Sequence, residues 1–169
     1  MTGKIFSIAA VLSLFIFALI GFDNLSARSF EKAPVITYMR KGSNEAPYIT
    51  GVHVCENGRV RLIDNANGTG RRYIFISRGR VQRLLNMIVK EQNFFSISQA
   101  YITTFQNSRE QMLDAATTYI TVRSRYGYHK LSIYDVFRNT NVSSNKMVRL
   151  RSIVQTLEKL LQETKKKLR

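Results

Sequence analysis

Glu56-Asn57-Gly58 stands between two alternating runs, Tyr48–Cys55 and Arg59–Asp64, and this arrangement constrains the fold more tightly than any other stretch. Alternation of apolar and polar residues at period two marks strands with one buried face. Two turns suit Asn57-Gly58, and they differ by one residue of register. A two-residue mirror-image turn sets Val54 opposite Arg61 and mixes charged and aliphatic groups on both faces. A three-residue loop, with Gly58 left-handed in a bulge, instead sets Val54 opposite Val60 and Val52 opposite Leu62. A slip of one residue turns every side chain to the other face, so the cleaner pattern selects the bulged loop. Thr50, Val52, Val54, Val60 and Leu62 then share one face, and His53, Cys55, Arg59 and Arg61 share the other.

The elements around this hairpin follow from the same local rules. Asn65–Gly70 is a turn-rich break, and a third strand is expected at Arg71–Ile76. Ser77 offers the oxygen that caps a following helix. Val81, Leu84, Leu85 and Ile88 form its apolar stripe, while Arg78, Arg80, Arg83 and Lys90 point elsewhere. Phe94 and Phe95 are expected to pin the helix exit against the sheet. Upstream, Pro34–Met39 reads as the first strand and Lys41–Pro47 as a loop. Downstream, 96–116 is a long connection without a clear period. Thr117–Ser124 and His129–Tyr134 form a second hairpin turning through Arg125–Tyr128. From Asn145, Leu150, Ile153, Val154, Leu157, Leu160 and Leu161 give a second helical stripe. That helix ends in Lys165-Lys-Lys-Leu-Arg169, cations that suit a helix C-terminus. The predicted fold is α+β, with two layers: an antiparallel sheet of about five to six strands and two main helices packed on one face.

The N-terminus reads as an export signal. Lys4 precedes the apolar run Ile5–Phe22, and Ala27 supplies a small residue for cleavage. The run approaches the roughly 20 residues that span a bilayer, so an uncleaved inner-membrane anchor competes with a cleaved signal peptide. The expected division is 1–27 as signal peptide or anchor and 28–169 as one domain. The remainder is exported on either reading, periplasmic or secreted, and nucleic acid is not an expected partner. The chain of 169 residues carries 26 Lys and Arg against 11 Asp and Glu, a net charge of +15. Lys4 and Asp23 leave together on cleavage, so that excess persists. It predicts attraction to anionic partners and says nothing of fold. Cys55 is the single cysteine, which excludes an intrachain disulfide.

The order of these elements resembles one bacterial family of small exported α+β domains of unknown function. The resemblance rests on Pro47-Tyr48, Val52-x-Val54, Asn57-Gly58-x-Val60, Ile76-Ser77, Phe94-Phe95-Ser96-Ile97, Asp114 before the Thr118–Val122 strand, and the closing Leu-rich helix. It covers roughly Val35 to Leu161. Many family members carry two cysteines in the loop before the hairpin. Lys41–Pro47 has none, so the resemblance implies no redox role here.

Three sets of residues carry candidate chemistry. His53 and Cys55 share a strand face, an arrangement that suits a thiol nucleophile with its base, and hence a thiol-dependent hydrolase as the alternative function. The pair falls short of a zinc site, which needs three or four ligands, and no metal or cofactor is expected. Asp114 precedes a strand without a placed partner, and capping a turn is its simpler role. The sheet face opposite the helices is the most informative feature. It is expected to gather Tyr38, Arg40, His53, Arg59, Arg61, Tyr119, Thr121, Arg123, Lys130, Ser132 and Tyr134. Binding residues are therefore predicted to be Tyr38, Arg40, Arg59, Arg61, Tyr119, Arg123, Lys130 and Tyr134, since basic groups interleaved with aromatics hold anionic chains with ring-rich units. The same composition suits an ordinary solvated sheet face. The expected partner is an anionic cell-envelope component (glycan or lipid head group) or an acidic protein. Membrane-surface contact through the C-terminal lysines would add about 1 kcal/mol per charge.

Overall fold

Gly58 adopts φ +91°, and with it the bulged hairpin forms as the alternation requires. Its amide donates to the Cys55 carbonyl at 3.0 Å, and the Cys55 amide donates to the Arg59 carbonyl at 2.8 Å. Val54 pairs with Val60 and Val52 with Leu62. A second constraint acts on the same residue. A Cβ at Gly58 would sit 2.1 Å from the Ile76 carbonyl oxygen, so the turn must pass close against the chain leaving the next strand.

This computed structural model describes residues 33–42, 48–65, 72–99, 116–134 and 144–169. Six strands, β1 (Ile36–Lys41), β2 (Ile49–Val54), β3 (Arg59–Asp64), β4 (Tyr73–Phe75), β5 (Thr117–Ser124) and β6 (Gly127–Tyr134), form one antiparallel sheet in the order β4-β3-β2-β1-β5-β6. Several of the expected boundaries move: β1 begins at Ile36 rather than Pro34, and β4 covers only Tyr73–Phe75 of the expected third strand. Lys41 ends β1 instead of opening a loop, and β6 begins at Gly127, because Arg125 and Tyr126 alone make the turn. Gly127 has φ +131°, which lets the strand leave that turn directly.

The first helix, α1 (Arg78–Asn86), starts as its cap predicts. Ser77 is extended, and its hydroxyl oxygen accepts from the Arg80 amide at 3.2 Å. Val81, Leu84 and Ile88 are buried, and Leu85 is half-buried. At Met87–Glu91 the helix widens into a π turn, with the Gln92 amide donating to the Met87 carbonyl at 2.9 Å. Asn93 then takes a left-handed conformation (φ 46°) and Phe94–Ser96 a 3-10 turn. The second helix, α2, spans Asn145–Lys167 and buries every residue of its predicted stripe, together with Met147 and Thr164. The Thr164 hydroxyl donates to the Leu160 carbonyl at 2.8 Å, which satisfies a polar group in the core.

Both helices contribute to one core with a single sheet face, made of Ile36, Tyr38, Val52, Val54, Val60, Leu62, Ile120, Val122, Leu131 and Ile133. The two-layer α+β arrangement is thus the observed one. His129 lies on the rim of this layer. Its Nε2 donates to the Ile97 carbonyl at 2.6 Å, and its ring meets Phe94 edge-on at 5.2 Å. Gln99 bonds twice to the backbone of Ser132, covering part of the β6 edge. The N-terminal segment 1–27, Asp114, and most of the 96–116 connection lie outside the described residues. Among the described residues no helix is long and apolar enough to cross a membrane.

Candidate functional site: the open face of the sheet

Strand pairing decides which side chains share the face away from the helices. Tyr73, Arg61, His53, Thr37, Thr121 and Lys130 form one row across all six strands. Beside it, Arg59 pairs with Phe75 and Arg123 with Tyr128. On the other side lie Met39, Tyr119 and Ser132, followed by Lys41, Thr117 and Tyr134. Five cations (Lys41, Arg59, Arg61, Arg123, Lys130) therefore share this face with five aromatics (Tyr73, Phe75, Tyr119, Tyr128, Tyr134). No acidic side chain of the described strands joins them, because Asp64 pairs with Thr50 on the helix face. Like charges gathered on one face raise the local positive potential and favour an anionic ligand.

Three of the aromatic members are open to solvent: Tyr73 is 48% exposed, Phe75 63% and Tyr128 60%. Tyr73 and Phe75 pack edge to face at 5.5 Å, and the Arg123 guanidinium lies 5.7 Å from the centre of the Tyr128 ring. Arg123 and Lys130 are exposed, while Arg59, Arg61, Tyr119 and Tyr134 are half-buried. Such a surface offers charge to an anion and flat apolar area to a sugar ring or acyl chain.

Two predicted members do not belong to it. Tyr38 and Arg40 project to the helix face, because β1 pairs Tyr38 with Val52 and Ile120, both core residues. Tyr38 is wholly buried, and its hydroxyl donates to Glu158 Oε2 at 2.7 Å. Burial, then the adjacent Glu158 carboxylate, pushes this phenol far above the usual tyrosine value, so it remains a donor. Arg40 reaches the same carboxylate at 3.7 Å, and Gln162 donates to its other oxygen at 2.7 Å. These residues hold α2 on the sheet; they do not face a ligand.

Sequence reasoning also missed members. Lys41 falls in the stretch whose composition predicts a loop, and Tyr73, Phe75 and Tyr128 are not among the predicted binding residues. Their signal is the spacing of two within β4 and the pairing of Arg123 with Tyr128, which only the shorter turn produces.

The thiol reading meets a physical obstacle. Cys55 is 4% exposed, and a thiol nucleophile needs access as well as activation. His53 Nδ1 lies 2.9 Å from the Thr37 hydroxyl, a contact within the face itself. No cluster of three metal-ligating side chains occurs among the described residues. Comparison with protein-family models and with curated proteins gives no match.

Proposed function

We propose that this chain is an exported, non-catalytic interaction module of the bacterial cell envelope, which holds an anionic glycan, lipid head group or acidic protein on its open sheet face. The observation that carries the reading is the face itself, five cations set among five aromatics, with the one acid of the described strands, Asp64, on the opposite face. The reading of 1–27 as an export signal or anchor, from the apolar run Ile5–Phe22, supports envelope anions over nucleic acid as partners. The same reading takes the chain as a relative of the exported α+β family it resembles, supported by the Asn57-Gly58 turn, the Ser77 cap and Phe94-Phe95.

Reversing Arg61→Glu and Lys130→Glu in the central row tests it. Retention on anionic envelope fractions should fall by at least roughly 2 kcal/mol, about thirtyfold, and should weaken with salt in the parent protein. Retention that is unchanged by the reversal and insensitive to salt would sink the proposal.

A further inference from the structure

A groove of about 590 Å³ opens beside the sheet, between the helix layer and the β5–β6 turn. Its volume lies within the range of about 300–1,000 Å³ typical of small-molecule sites. The helix wall presents Leu85 and Val89, both half-buried and apolar. The opposite wall presents Arg123, Arg125 and Tyr126, and Lys90 closes the groove from the helix side. Among the described residues of the lining Glu56 is the one acid, against these three cations.

The π turn helps to build this site. Widening the helix at Met87–Glu91 shifts Val89 and Lys90 from the positions a regular helix would give them, and both line the groove. Such turns are uncommon and often occur at functional sites. The turn residues are already arranged around a positive field. Arg125 donates to the Tyr126 hydroxyl at 2.6 Å and stacks 4.8 Å from the centre of its ring. That hydrogen bond first, with the charges of Arg125 and Lys90 adding, holds the exposed Tyr126 phenol below its usual value.

We propose that this groove binds a small amphiphile through one anionic head group, held by Lys90 and Arg125, with its apolar stem against Leu85 and Val89. The site is separate from the central row of the sheet face and does not depend on the proposal for that face; Arg123 borders both.

The test titrates octanoate, octyl phosphate and neutral octyl glucoside into the full-length protein and follows backbone amide resonances. Octanoate or octyl phosphate should give saturable shifts at Val89, Lys90, Arg125 and Tyr126, and octyl glucoside should not. The tighter of the two anions identifies the head group as carboxylate or phosphate. Lys90→Glu with Arg125→Glu should weaken that binding at least tenfold, whereas Arg61→Glu with Lys130→Glu should leave it unchanged. Both substituted groove residues are exposed, and the mapping on the parent protein decides the matter even if the double variant misfolds. Absence of saturable shifts with both anions, equal shifts with octyl glucoside, or undiminished binding in the groove variant would overturn the assignment.

Discussion

The Tyr38 hydroxyl donates to Glu158 Oε2 at 2.7 Å, joining the central strand to the last helix across 120 residues of chain. The same carboxylate receives Gln162 and faces Arg40, so one acidic side chain organises three neighbours. Tyr38→Phe keeps the ring and removes the donor. It should cost about 1–3 kcal/mol in urea denaturation at neutral pH, the usual worth of a hydrogen bond to a charged group. The pH dependence follows from the raised phenol. In the unfolded chain Tyr38 ionises near pH 10, whereas the folded protein keeps it protonated. Its stability contribution is therefore full below about pH 10 and declines above it. The gap between parent and Tyr38→Phe should narrow as pH rises beyond that point; a constant gap would refute the linkage.

Gly58 and Gly79 provide a matched pair. Gly58→Ala meets both a positive φ and a carbonyl oxygen at 2.1 Å, and should destabilise by more than about 2 kcal/mol. Gly79 lies in the first turn of α1, where the nearest atom to an added Cβ is a flexible Arg83 nitrogen at 3.7 Å. Gly79→Ala should be neutral or stabilising by up to about 1 kcal/mol. Thermal melts of the two variants moving in the same direction would contradict this account.

Gln99→Ala should expose the β6 edge without loosening the sheet. The Ser132 amide donates to Gln99 Oε1 at 2.8 Å, so its hydrogen exchange should accelerate markedly. Global stability should change by about 1 kcal/mol, the value of an ordinary hydrogen bond. Equal acceleration at Ile120 and Val122 amides would show that the whole sheet had loosened.

Burial and surface charge should separate clearly at the helix exit. Phe94 is fully buried against His129, and Phe94→Ala should cost about 3–5 kcal/mol. Glu163 pairs with Arg80 at about a third exposure, and Glu163→Ala should cost under about 1 kcal/mol. Chemical denaturation of both variants checks the ordering, and comparable losses would contradict it.

What was legible in the sequence was local. The Gly58 bulge, the Ser77 cap and both helical stripes follow from turn chemistry and periodicity acting within a few residues, and each appears where those forces place it. From them came the two-layer fold and the orientation of Arg59, Arg61, Arg123 and Lys130 on the open face. The π turn at Met87–Glu91 and its groove carried no such signal, because they depend on how α1 meets the β5–β6 turn.

Tertiary structure alone decided the facing of β1. Ile36–Lys41 holds apolar side chains at both parities, Ile36 and Tyr38 against Met39, so alternation does not choose between its faces. The choice comes from core residues on both flanking strands and from a carboxylate far along the chain. Strand order belongs to the same category: the first strand lies between β2 and β5, a placement set by which hairpin buries its aliphatic face beside it. Short-range chemistry shapes each element, but only the assembled core supplies the partners that turn Tyr38 inward and leave Lys41 facing out.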